Sequence, residues 1–276
     1  MRVARGDINN DGILEMIVST GPGGPPEVKI IDSSTGNVIG EIMAYDPSFK
    51  GGIFVSIIDV NNDGFSKIVT GAGESGGPHV KVFDSRTKSE IFSFFAYDKN
   101  FTGGVSVAAY DVDRDGILDI VTGAGPGGGP HVKVFSGRDM HIIKEFMAYD
   151  PNFRGGVFVA MGDFMSDGTL EIITGPGIGG GPHLKVWDYS TLNLIAEKMV
   201  YDKFTKDDGQ VIDFLFAGGV RVGIADGNDD GILDVIVGAG PTGGPHVKVL
   251  AGFDLEVIRN FFSGEKTDSR GVFVSQ

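Results

Sequence analysis

The sequence predicts an all-β fold, a β-propeller built from five four-stranded antiparallel blades. Three observations carry this prediction: a motif that recurs about every 52 residues, short β-branched segments separated by turn residues, and no sustained helical periodicity. Glycine supplies 45 of the 276 residues, about twice its usual share. Because these glycines follow no Gly-X-Y period, they indicate many tight turns between short strands.

The repeat is visible in the spacing of glycine-flanked acidic loops. These loops begin at Asp7, Asp59, Asp111, Asp163 and Asp226, at intervals of 52 residues except for the last, which is 63. We therefore predict one domain, 1–276, made of repeats 1–52, 53–104, 105–156, 157–219 and 220–271. A stacked β-solenoid is the alternative, although its coils are usually shorter.

The third repeat shows the four strands of one blade. A first strand at Val105–Tyr110 ends at the acidic loop, and a second lies in ILDIVTGAG. The Gly/Pro segment PGGGP turns the chain into a third strand, HVKVF, and a fourth follows in IIKEFMAYD. Repeated four-stranded units of this length are typical of propeller blades.

Both ends of the sequence carry a copy of the first strand. Residues 1–5 begin the first repeat, and residues 272–276 are an extra copy after the fifth. Two hypotheses follow. Either the sequence is a segment of a longer array, or the C-terminal copy completes the first blade and displaces the N-terminal one.

Charge and composition exclude several classes of partner. A formal charge of −14 would repel a phosphate backbone, so we expect no nucleic acid. No apolar run approaches the ~18 residues of a membrane span, so no membrane insertion is expected. Cysteine is absent, and residues 1–12 lack the apolar stretch of a secretory signal.

The acidic loops have the composition of a metal site for a hard cation. Counting from the first aspartate, carboxylates or amides stand at positions 1, 3 and 5, glycine at 6 and a carboxylate at 9, and position 7 offers a carbonyl. An oxygen-only cage of this size favours Ca²⁺ over Mg²⁺, and without cysteine Zn²⁺ is disfavoured. The predicted ligands are Asp7, Asn9, Asp11, Ile13 and Glu15; Asp59, Asn61, Asp63 and Phe65; Asp111, Asp113, Asp115, Ile117 and Asp119; Asp163, Asp167, Thr169 and Glu171; and Asp226, Asn228, Asp230, Ile232 and Asp234.

The five copies are not equivalent. Loops one, three and five have a complete set of ligand types, whereas loop two has Lys67 at position 9 and loop four has Met165 at position 3. We expect strong sites in the three complete loops and weak or empty ones in loops two and four. In loop two the Lys67 ammonium could replace part of the metal's charge. The alternative is an Asx-turn loop without metal, which leaves the carboxylate at position 9 unexplained.

Two further side-chain pairs recur in the blades. A tyrosine followed by aspartate could form a sugar platform, and a histidine two residues before a lysine could bind an anion or glycan. Equally, the tyrosine could pack between blades and the histidine could make a hydrogen bond between blades. The candidates are Tyr45, Asp46, Tyr97, Asp98, Tyr149, Asp150, Tyr201 and Asp202, with His79, His131, His183 and His246.

The places where the repeat is interrupted are further candidates for catalysis or for contact with a partner. The insertion in 203–216 offers apolar residues for a contact surface. Trp187 stands where the other repeats have Phe, Ile or Leu, so a core position is expected for it. His141 lies outside the repeated motif, and the sequence offers no Ser/Asp partner that would make it catalytic. The GAGPGGGP glycines lead into a strand, so a turn is favoured over a phosphate cradle. Because no irregularity assembles a nucleophile, a base and an orienting group, we expect no enzymatic activity.

The acidic loop followed by a β-branched strand and GAG(P) resembles the FG-GAP repeat of integrin α-subunit propellers and the related bacterial VCBS-type repeats. This resemblance implies calcium in the loop between the first two strands of each blade. It also implies an extracellular or cell-surface setting with a role in adhesion or carbohydrate binding, as in fungal lectins of this type. Integrin propellers have seven blades, and they lack the segment GGxPHVKV, so no integrin ligand surface carries over.

Three functional hypotheses follow. The first is a non-enzymatic calcium-binding propeller that binds a glycan or an extracellular protein. The second is the propeller portion of a carbohydrate-active enzyme such as a polysaccharide lyase. The third is a structural repeat module whose only ligand is calcium. Blades that resemble one another favour multivalent binding.

Overall fold

A computed structural model describes residues 1–59, 66–201, 203–205, 211–213, 216–252, 254–265 and 267–274. Within these ranges the chain forms strands and no helix. In chain order the strands are β1 (Arg2–Gly6), β2 (Glu15–Ser19), β3 (Glu27–Ile31), β4 (Val38–Met43), β5 (Ile53–Ile58), β6 (Lys67–Ala72), β7 (His79–Asp84), β8 (Glu90–Phe95), β9 (Val105–Tyr110), β10 (Asp119–Ala124), β11 (His131–Phe135), β12 (Ile142–Met147), β13 (Val157–Gly162), β14 (Glu171–Pro176), β15 (His183–Asp188), β16 (Leu194–Met199), β17 (Lys203–Thr205), β18 (Val211–Asp213), β19 (Val220–Ala225), β20 (Asp234–Ala239), β21 (His246–Leu250) and β22 (Val257–Phe262).

The strands form five antiparallel four-stranded sheets, each with its strands in sequence order. Blades one to five are β1–β4, β5–β8, β9–β12, β13–β16 and β19–β22. The predicted all-β propeller with five blades is therefore confirmed. Within the insertion, β17 and β18 pair as a two-stranded ribbon. The side chains of that ribbon, including the contact surface predicted for it, lie outside the described residues.

The first strand of every blade lies next to the propeller axis. The first strands of successive blades contact one another from β1 through β19. They enclose an axial cavity of about 30 Å³, lined by residues from the first strands of all five blades. The second, third and fourth strands then follow outward in each sheet.

The hydrophobic core lies between neighbouring blades. Val80 and Val82 of blade two belong to one cluster with Val105 and Val107 of blade three, and all four side chains are buried. This arrangement follows from the geometry of a sheet, because each face of a blade must bury its apolar side chains against the next blade.

Glycines on the second strands allow blades two to five to approach the following strand closely. A Cβ atom built on Gly123 of β10 would lie 2.4 Å from the carbonyl oxygen of Val157 in the next blade. Gly71, Gly175 and Gly238 meet the corresponding carbonyls in the same way. In blade one Ser19 stands at this position, and its hydroxyl donates to the Ile53 carbonyl at 2.8 Å.

The two copies of the first strand occupy different places. β1 pairs with β2 along its whole length, so the expectation that the C-terminal copy displaces it from blade one is wrong. Instead, the Val272 amide donates to the Ala239 carbonyl at 2.9 Å, and the Val272 carbonyl lies over Gly238. Val272–Val274 thus takes the position that a following blade's first strand takes elsewhere. A cleft of about 1540 Å³ separates blade one from blade five.

The described part of the chain contains no helix that could span a lipid bilayer. The expected single domain and its repeat boundaries stay predictions.

We predict that Gly123→Ala destabilises the protein by about 1–3 kcal/mol, the usual cost of overpacking a core. The added methyl would overlap the Val157 carbonyl, and this backbone cannot move without shifting blade four. Unfolding in urea and by heat would measure the loss.

Gly181→Ala is the matched control. Its built Cβ has Met199 Cε as nearest atom, at 3.7 Å, so we expect a change within about 0.5 kcal/mol. Equal stability of the two variants would contradict the close approach of blades three and four.

Candidate metal centre

The acidic loops connect the first strand to the second in each blade. Loops one, three, four and five are described in full and run from Asp7, Asp111, Asp163 and Asp226. In loop two Asp59, Ser66 and Lys67 are described, whereas Asn61, Asp63 and Phe65 lie outside the described residues.

Loop three brings three carboxylates together. One carboxylate oxygen each from Asp111, Asp113 and Asp115 lies within 4.8 Å of the others. Backbone amides hold this arrangement, since Gly116 donates to Asp111 Oδ2 at 2.9 Å and Ile117 donates to Asp115 Oδ1 at 2.8 Å. The three carboxylates thus already lie together in the structure, and no side chain has to change conformation to form the cluster.

The sharp turn requires two residues with left-handed backbone. Arg114 at position 4 has φ 60°, and Gly116 at position 6 has φ 78°. A Cβ on Gly116 would meet nothing within 4 Å, so glycine is needed there for its conformation rather than for space. The same two positions have positive φ in loops one, four and five, at Asn10 and Gly12, Ser166 and Gly168, and Asp229 and Gly231.

The carboxylate at position 9 anchors the loop. Asp119 is 1% exposed, and its two oxygens accept the amides of Val112 at 2.9 Å and Gly137 at 3.0 Å. Burial raises the pKa of Asp119, against the lowering effect of these two hydrogen bonds. Its counterparts accept the amide of position 2 in the same way: Glu15 from Ile8, Glu171 from Phe164 and Asp234 from Gly227. Asp119 is not a member of the three-carboxylate cluster, and its anchoring role was not predicted.

Loops one and five have an asparagine at position 3. In loop five the Asn228 amide nitrogen donates to Asp230 Oδ2 at 2.8 Å, while its oxygen accepts the Asp230 amide. In loop one the Asn9 oxygen likewise accepts the Asp11 amide at 3.0 Å. Both asparagines therefore hold the turn as Asx residues do. The coordination predicted for the carbonyls of Ile13, Ile117, Thr169 and Ile232 stays a prediction.

Loop four has a different interior. Met165 packs against the apolar cluster between blades four and five. The Thr169 hydroxyl contacts both Asp167 Oδ1 at 2.6 Å and Glu171 Oε1 at 3.0 Å. The fourth loop thus joins two of its carboxylates through a side-chain hydroxyl.

In loop two, Lys67 pairs with an acidic residue of the adjacent strand. Its Nζ lies 3.4 Å from Asp84 Oδ2, and the two residues are direct partners in the β6–β7 ladder. The cage predicted for this loop, in which the Lys67 ammonium could replace part of the metal's charge, includes residues outside the described ranges.

The donor set of loop three fits a hard divalent cation. All three donors are carboxylate oxygens within 4.8 Å of one another, a limit that is about twice a Ca²⁺–O bond of roughly 2.3–2.6 Å. A single ion could therefore contact all three oxygens. The Arg138 guanidinium, 2.6 Å from Asp115 Oδ2, lowers the pKa of Asp115 and keeps it ionised.

The recurring tyrosines make contacts between blades. The Tyr97 hydroxyl lies 3.1 Å from the carbonyl oxygen of Thr122 and 2.8 Å from that of His131, both in the next blade. Tyr45, Tyr149 and Tyr201 reach equivalent carbonyls. In each case the lysine of the next blade lies 5.0–5.5 Å from the ring centroid.

The histidines and aspartates lie nearer the surface. His131 Nε2 lies 3.0 Å from Glu145 Oε2, and His183 makes the same contact with Glu197 at 2.8 Å. Burial, followed by the neighbouring lysine, lowers the pKa of His131 and so favours its neutral form. His79 stacks on Phe95, and His246 stacks on Phe262 and contacts Asn260.

The three described aspartates that follow the tyrosines are exposed, and each caps its own turn. Asp46 accepts the Ser48 amide, Asp98 that of Asn100 and Asp150 that of Asn152, all at 2.8 Å. Asp202 lies outside the described residues. A ligand-binding role for these tyrosines, aspartates and histidines stays a prediction.

Comparison with known proteins identifies the repeat. The FG-GAP repeat family profile matches residues 103–138, which span the first three strands of blade three and its acidic loop. No curated protein matches the chain in sequence. The stretch 103–138 is therefore an FG-GAP repeat within a five-bladed propeller.

Solved structures with the same fold share little sequence. A protein of unknown function from Bacteroides caccae is 11% identical, with a TM-score of 0.50 over 90% of this chain and 73% of that one. The Dos1 propeller is 13% identical, with a TM-score of 0.50 over 99% of this chain and 60% of its own. At these identities the likeness concerns the fold alone.

We predict that Tyr97→Phe lowers the free energy of unfolding by about 1 kcal/mol, the usual contribution of a buried hydrogen bond. The ring is kept, but the Thr122 and His131 carbonyls lose their shared donor. Thermal unfolding would measure the change.

Tyr110→Phe is the control, since this half-buried tyrosine makes no hydrogen bond through its hydroxyl within the described structure. We expect its stability to match that of the unmodified protein. A Tyr97→Phe variant as stable as this control would contradict the role of the hydroxyl in joining the blades.

Proposed function

We propose that this chain is a non-enzymatic calcium-binding propeller that serves as an extracellular binding or adhesion module. The observation that carries the calcium proposal is the cluster of Asp111, Asp113 and Asp115. Carboxylates whose oxygens lie this near one another repel, and Arg138, which pairs with Asp115, compensates only one of the three charges. The FG-GAP match at the same loop supports calcium as the compensating cation.

Loops one and five support further sites of the same kind. Each repeats the backbone turn of loop three, with positive φ at positions 4 and 6. Each also has aspartate at positions 1 and 5 and a buried carboxylate at position 9. An amide oxygen at position 3 is as good a calcium ligand as a carboxylate oxygen in chemical type. We therefore propose strong sites in loops one, three and five.

The binding role rests on the regular repetition of the blades. Side chains that could bind a ligand recur at equivalent positions of the blades. This repetition suits several weak contacts to a glycan or protein surface better than it suits one catalytic centre. An extracellular setting is proposed from the FG-GAP resemblance. No observation favours the alternative of a polysaccharide lyase.

We predict three strong calcium sites in a titration by calorimetry, and two after Asp115→Asn. The amide retains an acceptor for the Ile117 amide but removes a charged ligand from loop three. Chelation of calcium would lower the melting temperature, since each site contributes about 2.7 kcal/mol at a 100-fold excess over its Kd. Five equivalent strong sites, or none, would overturn the proposal.

Asp98→Asn is the matched control for this titration. It removes the same charge from an exposed turn outside the acidic loops, so all three sites should remain. If both variants lose equal amounts of calcium, the effect is one of net charge rather than of ligation.

We also predict that the calcium-loaded protein binds members of a glycan array or an extracellular protein array, and that chelator abolishes this binding. Binding that survives chelation would show that the ligand-binding surface does not depend on calcium. A folded, calcium-loaded protein that binds neither class would support the structural module instead. Release of unsaturated sugars from polysaccharides would show a lyase.

A further inference from the structure

The propeller axis is lined by one side chain from each first strand. These are the first residue of β1, Arg2, and the second residue of each of the other four strands: Phe54, Ser106, Phe158 and Arg221. The extra segment Val272–Val274 adds Phe273, whose ring contacts Phe54, Phe158 and both arginines. The rings of Phe54, Phe158 and Phe273 meet there, with centroids 6.0–6.4 Å apart. The axis is therefore largely apolar, although two of its side chains are charged.

These two side chains are Arg2 of β1 and Arg221 of β19, which are 5% and 6% exposed. The Arg2 guanidinium carbon lies 3.6 Å from the Phe54 ring centroid and 4.2 Å from that of Phe273. Arg221 lies 3.8 Å from the Phe273 centroid. Both cations thus share one aromatic ring, and aromatic faces attract cations.

The hydrogen-bonding capacity of the two arginines is only partly used. Arg221 Nη1 donates to the carbonyls of Ala239 at 2.9 Å and Val272 at 3.1 Å. In contrast, Nε and Nη1 of Arg2, and Nε of Arg221, are buried and have no acceptor among the described residues. Buried charged donors without acceptors are costly.

Among the residues that the structure describes, no carboxylate pairs with either of these arginines. Within the described structure, Arg2 is the only charged residue that lines the axial cavity. Ser106 also lines it, but its hydroxyl contacts the Gly123 and Val157 carbonyls. Burial, and then the charge of Arg221, lowers the pKa of Arg2 to about 9. Burial lowers the pKa of Arg221 to about 10, so both guanidiniums remain protonated at pH 7.

We propose that the axial cavity binds a small monovalent anion of halide size beside Arg2, with the charge of Arg221 adding to the attraction. Such an anion would accept the two free donors of Arg2 and neutralise a charge that has no protein partner. The cavity of about 30 Å³ exceeds the roughly 10–15 Å³ needed for one water molecule. It therefore has room for a single small ion of halide size. A water molecule could accept the same donors but would leave the charge uncompensated.

The direct test is diffraction from crystals of the unmodified protein grown in sodium bromide, with data collected at the bromine absorption edge. We expect an anomalous peak in the axial cavity within hydrogen-bonding distance of Arg2 Nε or Nη1. Ordered guanidiniums with water and no anomalous peak in the cavity would overturn the proposal. Since this measurement needs no variant, it does not depend on how substitutions affect folding.

A solution test uses the melting temperature as sodium bromide replaces a bulky organic sulfonate at constant ionic strength. The unmodified protein should gain stability as bromide rises, because a ligand that binds only the native state stabilises it. Arg2→Met should lose this gain, and Arg221→Met should reduce it. Arg5→Met, which changes an exposed arginine of the same strand, should keep the full gain. A gain that persists unchanged in Arg2→Met would place the anion elsewhere and contradict the assignment.

Discussion

The close contact between neighbouring blades is the constraint on which the rest of the structure depends. A single four-stranded sheet cannot bury both of its faces, so every blade relies on the next for its core. The contact is close where a second-strand glycine such as Gly123 meets the first-strand carbonyl of the following blade. Around this point the tyrosine hydroxyls join the blades through backbone carbonyls. The stability of one blade is therefore coupled to that of its neighbour.

This coupling also determines how the acidic loops are held. Each described loop leaves an axial strand and returns on the second strand, and both ends are fixed by the ladder. The buried carboxylate at position 9 then binds the amide of position 2. The loop is ordered by its backbone before any ion is considered. A cation would bind a preorganised set of oxygens, which reduces the conformational entropy that binding costs.

Much of the fold could be predicted because the repeat exposes it. The first strand predicted at Val105–Tyr110 has those bounds in the structure, and the acidic loops connect the strands that spacing assigned to them. The function of Asp119 could not be predicted, because its amide partner Gly137 comes from another turn 18 residues away. The axial arginines were also missed. Arg2 and Arg221 look like ordinary substitutions in the repeat, and only the closure of the strands around the axis brings them together.

The buried guanidiniums at the axis lie far from the carboxylates of the acidic loops. Arg2 begins β1 and Asp7 directly follows its last residue, so at about 3.3 Å per residue the two backbones are roughly 16 Å apart. At that distance the loop carboxylate can form neither a hydrogen bond nor an ion pair with the Arg2 guanidinium, despite the net charge of −14. The cation proposed for the acidic loops and the anion proposed for the axis would each compensate a charge where it lies.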